Sequence, residues 1–480
     1  MNRKIVFYTT GQIVVFEAIM LLLPTIVALI YREKSIWAFL LTIAVSLVIG
    51  LLLMVFSKPK DSVIYAKEGF LTVALAWITL SAIGALPFFI SGEIPSYIDA
   101  FFETVSGFTT TGASILTNVE AMSKGLLFWR SFTHWVGGMG VLVFVMAVIP
   151  NVSDRSIHIM RAEMPGPIIG KLVPKVKDTA KILYLIYIVM TLVEVVFLLF
   201  GGIGVYESFI YSFGTAGTGG FGLKADGISS YSPYVQWVIT AFMLIFGVNF
   251  NLYYMILIKR AKAAFSSTEL WIYLLIVAVC TAAITANIMP LIGDFADSLR
   301  TAAFQVSSII TTTGYATADF NLWPDLSKGI LFILTFIGGC AGSTAGGLKL
   351  SRVIILFKML RGEIKRMLHP RSVHVVRFEG KIIEENTLSS VSIYFSFYII
   401  CILAVFIVLC FEPFGLETNF TAAVTCFNNV GPGFAGVGPM SSFASYSHFS
   451  KIILSGAMLL GRLEIFPLII ALSPNTWSKK

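Results

Sequence analysis

Runs of roughly 20 apolar residues recur along this chain, as in "LYLIYIVMTLVEVVFLLFGGIG" and "TLSSVSIYFSFYIICILAVFIVLC", and that length suits a helix crossing a bilayer core of about 30 Å. Barrel strands would be half as long. Only 12% of the 480 residues are charged and 57% are hydrophobic. An ordinary soluble domain needs about a quarter of its residues charged. The sequence therefore reads as an all-α polytopic protein of the lipid bilayer. Its first apolar run follows Asn2-Arg3-Lys4 and passes twenty residues without a small-residue cleavage site, which predicts a retained helix and no secretory signal.

Spans are predicted at 5–30 and 36–56, then in four pairs: 66–90 with 126–150, 181–204 with 233–258, 268–292 with 327–357, and 388–411 with 449–472. Ten spans put both termini on one side. That side carries the basic loops "SKPKD", "RAEMPGPIIGKLVPKVKDTAK", "KRAKAAF" and "KMLRGEIKRMLHPRSVHVVRFEGK", which marks it as cytoplasmic. The expected location is the cytoplasmic (inner) membrane, with both termini in the cytoplasm. The net charge of +8 follows from these topogenic loops and implies no nucleic acid. Glu93, Asp99, Glu103, Glu207, Asp294, Asp297 and Glu417 fall on the opposite side, where they either gather cations by their joint field or are ordinary solvated charges.

Between the members of each pair lies a shorter, semi-polar segment: "IDAFFETVSGFTTTGAS", "YESFIYSFGTAGTGGFG", "LRTAAFQVSSIITTTGYAT" and "ETNFTAAVTCFNNVGPGFAG". Aligned on Gly112, Gly220, Gly314 and Gly431, each has about a dozen helix-compatible residues, then small or polar ones, then the glycine. The chain accordingly divides into two N-terminal transmembrane helices (1–65) and four repeats at 66–165, 166–265, 266–386 and 387–480. Asp99 and Glu207 stand thirteen residues before their glycine and Glu417 fourteen, a place that suits the positive end of a short helix.

Segments too short to span must dip into the membrane as half-helices and return as extended backbone, which is tolerated only where protein or a watery pathway covers it. Four of them around one axis would aim their negative C-terminal ends at the membrane centre and line the return path with carbonyl oxygens that replace an ion's water. The candidate ion-binding residues are Thr109, Thr110, Thr111 and Gly112; Thr218, Gly219 and Gly220; Thr311, Thr312, Thr313 and Gly314; and Asn428, Asn429, Val430 and Gly431. Glycine lets a carbonyl turn to the axis, and threonines are expected to offer hydroxyls and hold strand-like torsions. No acidic side chain stands at these positions, which favours a large dehydrated monovalent ion over a divalent one.

A second feature interrupts the span at 327–357. The stretch 338–347, with Gly338, Gly339, Gly342, Gly346 and Gly347 around Ser343 and Thr344 and followed by Lys349, should break the helix. Its Lys does not directly follow the last glycine, so a nucleotide-binding P-loop is excluded. Either the glycines let helices pack closely, or the stretch is a mobile loop that occludes a pore. Arg462, mid-span, either pairs with Glu464 or Glu194 or projects beside this loop as barrier and latch.

The segments "SGFTTTGAS", "GTGGFG", "TTTGYAT", "NNVGPGF", "GGCAGSTAGGLK" and "GRLEIFPL" resemble those of the Trk/Ktr/HKT superfamily of potassium transporters, in its TrkH type with two extra N-terminal helices. The resemblance covers essentially the whole chain. It implies four helix–pore-loop–helix repeats around a pseudo-fourfold central pore, a K+ filter gated by the glycine-rich loop, a homodimer, and a cytosolic nucleotide-binding regulatory subunit of the TrkA type. Family members with serine at the first filter position tend to pass sodium, so Gly112 implies potassium. Asn428, Asn429 and Pro432 depart from the threonine pattern, so only approximate fourfold symmetry is expected, and with it a filter less selective than four identical loops would give, one that passes rubidium as well.

The remaining features read more plainly. Arg130, His134 and the tryptophans of "FWRSFTHWVGGMG" are expected in the interfacial belt. The basic stretch from Lys358 to Lys381 serves topogenesis or partner docking. The cysteines lack CxxC spacing, and neither metal-ligand clusters nor a GxSxG elbow occurs, so neither enzyme nor cofactor is expected. An ion-coupled (H+ or Na+) symporter with alternating access around broken helices is the competing function.

Overall fold

The computed structural model describes residues 2–59, 65–140, 176–371 and 375–477. The two leading helices are α1 (Arg3–Met20), continued by α2 (Leu22–Ile30), and α3 (Ile36–Phe56). The first unit follows as α4 (Ala66–Gly84), α5 (Leu86–Ile90), α6 (Tyr97–Phe108) and α7 (Lys124–Gly138). The second comprises α8 (Val176–Phe200), α9 (Val205–Gly217), α10 (Pro233–Phe246), α11 (Phe250–Leu257) and α12 (Ala261–Phe265). The third has α13 (Thr268–Ile292), α14 (Phe295–Ile310), α15 (Asp325–Ile337) and α16 (Leu350–Leu368), then a small hairpin of β1 (Arg377–Phe378) and β2 (Lys381–Ile382). The fourth has α17 (Glu385–Leu409), α18 (Leu416–Asn428), α19 (His448–Arg462), α20 (Phe466–Leu472) and α21 (Pro474–Trp477).

Among the described residues six helices are long and apolar enough to cross a membrane: the two leading ones and the opening helix of each unit. They turn large apolar side chains outward, such as Trp37, Val55 and Phe56 on α3 and Ile393, Ile400 and Ile407 on α17. Such apolar faces suit lipid rather than water.

Of the closing helices two depart from the full spans expected, and a third breaks where its glycines predict. The span predicted at 233–258 bends by 89° between α10 and α11. There Gly247 ends one helix, and the Asn249 side chain accepts from Asn251 N at 3.0 Å to start the next. The span at 327–357 opens into the glycine-rich stretch, as its glycines require. The span at 449–472 breaks at Glu464 and Ile465, both with positive φ, before Pro467 in the first turn of α20. Residues 141–150 of the span at 126–150, and the unit boundary at 165/166, lie outside the described residues.

The four short helices α6, α9, α14 and α18 hold 12, 13, 16 and 13 residues. At about 1.5 Å per residue, none reaches across a bilayer. Their C-terminal halves are wholly buried, so protein covers the backbone that a membrane would otherwise leave unsatisfied. Each carries an acid in its first turn, Asp99, Glu207, Asp297 and Glu417, facing the positive helix end.

Candidate ion-conduction site

The four short helices end alike. The amide of Thr110 donates to Gly107 O, and its counterparts Thr218, Thr312 and Asn429 donate to Thr215, Ile309 and Cys426, at 3.0–3.4 Å. The next amides, of Thr111, Gly219, Thr313 and Val430, reach back to Ser106, Gly214, Ser308 and Thr425 at 2.8–3.0 Å. This paired closure is the Schellman motif, whose pivot residue is usually glycine in the left-handed region. Here the pivots are Thr110 (φ 56°), Thr218 (54°), Thr312 (56°) and Asn429 (56°). The strand-like torsions expected of the threonines are therefore wrong at these positions, because closing the helix end takes precedence over χ1 preference. A β-branched residue held there costs about 1–2 kcal/mol, and such strain at three of the four equivalent places, all but Asn429, is the kind that functional sites store.

Two residues on, Gly112, Gly220, Gly314 and Gly431 also have positive φ, 78–91°. A Cβ on Gly112 would sit 2.1 Å from Gly219 O, on Gly220 2.1 Å from Thr313 O, on Gly314 2.2 Å from Val430 O, and on Gly431 2.7 Å from Thr111 O. The contacts run from unit one to two, two to three, three to four, and four back to one. The candidate ion-binding backbone of all four units is thus brought together in a closed cycle. Asn429 adds a side-chain link across the closure, donating to Thr111 Oγ1 and to Met458 O, both at 3.0 Å. The departure of the fourth segment from the threonine pattern leaves its backbone geometry intact.

The hydroxyls are used unequally. Thr109 and Thr311 donate back to Val105 O and Ser307 O, which ties their oxygens to the helix ends. Thr110 Oγ1 is buried without a hydrogen-bond partner among the described residues. Above the glycines opens a cavity of about 280 Å3 that touches all four of them.

Below them lies the glycine-rich stretch 338–347. It closes on itself, since a Cβ on Gly338 would meet Gly346 O at 2.5 Å. Its tip reaches the helix ends: Gly346 N donates to Thr312 Oγ1 at 2.6 Å. On its flank, Cys340 N donates to Gly247 O and Phe250 N to Gly342 O, both 3.0 Å, so the loop docks into the bend of α10–α11. Ala341 N donates to Glu269 Oε1 at 2.8 Å. Lys349 donates from Nζ to Ala345 O, and Ser343 Oγ to Cys340 O.

Arg462 donates to Thr344 O at 3.0 Å and to Gly138 O at 2.7 Å. Glu464, one of the partners considered for it, instead takes Arg352 at 2.7 Å. The cavity bounded by Arg462, Lys349, Gly342, Gly346 and Asn429 measures about 40 Å3. That is about a seventh of the cavity on the other side of the glycines, so the loop side is narrow where the opposite side is wide.

Residues read as an interfacial belt lie elsewhere. Arg130 is 3% exposed and pairs with Glu103 at 2.6 Å. His134 is fully buried, its Nδ1 2.7 Å from Gly107 O, and a Cβ on Gly219 would meet its ring at 2.4 Å. Both back the candidate conduction backbone. Glu103 is likewise buried and not a solvated charge. The available signal was spacing: Glu103 falls within the short helix, nine residues before Gly112, too deep for a first-turn acid.

Comparison with known proteins matches this architecture. The chain is 35% identical over 486 residues to the Trk system potassium uptake protein TrkH of Salmonella typhimurium, covering 99% of this chain and 100% of the relative. It is 33% identical over 482 residues to the Trk system potassium uptake protein TrkG of Escherichia coli, covering 99% and 98%. The crystal structure of the potassium transporter TrkH from Vibrio parahaemolyticus superposes with a TM-score of 0.89 at 30% identity, covering all of both chains. Residues 35–479 match the TrkH family of cation transport proteins, and the chain belongs to that family.

Proposed function

We propose that this protein takes up potassium, and with it rubidium, across the cytoplasmic membrane, through main-chain carbonyls of the four glycine segments. The observation that carries this reading is the closed cycle from Gly112 to Gly219, Gly220 to Thr313, Gly314 to Val430 and Gly431 to Thr111. A ring of oxygens without acidic side chains suits a dehydrated monovalent cation. The names of the relatives, potassium uptake proteins, agree with it. The glycine-rich loop, latched by Arg462 through Thr344 O, is the gate, and the cavity of about 40 Å3 beside it belongs to a closed state. A homodimer, a TrkA-type cytosolic regulatory subunit and cytoplasmic termini complete the proposal; the basic loops and the family resemblance support them.

The test is uptake by the purified protein in potassium-loaded liposomes. Rubidium entry that persists without a proton or sodium gradient, with sodium entering at under a tenth of that rate, is expected. Entry only in the presence of such a gradient would replace the channel-like reading with ion-coupled symport.

A further inference from the structure

The junctions between neighbouring return segments are held by different chemistry. Between units two and three, Tyr315 Oη donates to Phe221 O at 3.3 Å and Ile228 N to Ala316 O at 2.9 Å. Between three and four, Ala435 N donates to Asn321 Oδ1 at 3.0 Å, and between four and one, Phe443 N donates to Ser114 O at 2.8 Å. Between one and two the link runs through an ion pair within unit one. Glu103 accepts from Ser114 Oγ and Ile115 N, both at 2.9 Å, and from Arg130 Nε at 2.6 Å. Arg130 then donates to Gly222 O at 3.2 Å and lies 3.5 Å over the Phe221 ring.

Glu103 therefore grips the segment just after Gly112, and Arg130 the segment just after Gly220. The positions equivalent to Glu103, nine residues before each glycine, hold Tyr211, Gln305 and Ala422, so the device belongs to unit one. We propose that the Glu103–Arg130 pair is a selectivity-determining strut, positioning the first two return segments at the spacing that excludes sodium. This rests on the carbonyl-ring reading above. Both members are under 4% exposed, at 1% and 3%, so the low local dielectric strengthens the pair. Two return segments free to approach would let carbonyls close around the smaller ion. The pair also cancels charge: Arg130 lines the wide cavity, where an unpaired guanidinium would repel arriving cations.

The experiment measures the sodium-to-rubidium flux ratio in liposomes for the parent, Arg130→Lys, the double variant Glu103→Gln with Arg130→Gln, and Gly112→Ser. Arg130→Lys keeps the charge but loses the fork that reaches both Glu103 and Gly222. A rise of at least threefold in the ratio is expected for both strut variants. The ratio is read only from functioning molecules, so a merely structural role lowers yield and total flux and leaves it unchanged. If the strut variants do not fold, Ser114→Ala, which removes a single hydroxyl contact to Glu103, carries the test with an expected rise of about twofold. An unchanged ratio in folded strut variants, with a raised ratio in Gly112→Ser, overturns the strut and leaves the ring reading standing. An unchanged ratio in Gly112→Ser as well overturns the ring reading itself.

Discussion

Single residues at this site are constrained by torsion and by approach together. Gly220 has φ 79°, and a Cβ there would lie 2.1 Å from Thr313 O, so Gly220→Ala meets both penalties at once. The left-handed torsion alone costs about 1–2 kcal/mol, and the clash requires main chain, not a side-chain tip, to yield. Gly220→Ala is expected to lower rubidium flux at least tenfold in liposomes while the protein stays monodisperse; unchanged flux would show that this backbone does not line the path. The glycines were legible in the sequence because a requirement for positive φ is written in residue type. The pivots were not, since Thr110, Thr218 and Thr312 adopt a torsion that threonine ordinarily avoids. His134 and Arg130 escaped for another reason: an aromatic and basic cluster near a span end has the same composition whether it faces the interface or the centre of the molecule.

At the scale of elements, Arg462 and the glycine-rich loop make one unit. Arg462 ends α19 and donates to Thr344 O, and Gly346 N donates to Thr312 Oγ1, so helix, loop and helix end are tied together. The charge-assisted hydrogen bond from Arg462 contributes about 1.5–3 kcal/mol. Arg462→Ala is accordingly expected to raise basal rubidium flux several-fold, and deletion of Gly342 to Gly346 to raise it further. Flux no higher than the parent in both would remove the gate assignment. The break in the closing helix of unit three could be read from five glycines in ten residues. The bend at Gly247–Asn249 was hidden within an apolar run, because the glycine loop seats against it only in the folded chain. The break at Glu464–Ile465 was equally hidden, its glutamate drawn off to Arg352 on α16.

For the whole molecule, one cation moving alone through a ring of neutral carbonyls carries net charge. An imposed inside-negative potential should therefore speed rubidium entry, the full field being worth about 2.3 kcal/mol per charge per 100 mV. Initial rates measured at stepped potassium diffusion potentials check this, and rates indifferent to potential would mean that another ion crosses with rubidium. The apolar runs and the four recurring glycine segments were determined locally, by hydrophobic length and by backbone freedom, and these suffice for membrane class and family. Which carbonyl faces which glycine, that Arg130 meets Glu103 rather than the interface, and that Arg462 reaches Thr344 O rather than Glu464 were settled by folding alone. The glycine contacts and the bond from Arg462 join different units and need the closure of four units around one centre, whereas Glu103 meets Arg130 through the packing of α6 on α7 within unit one.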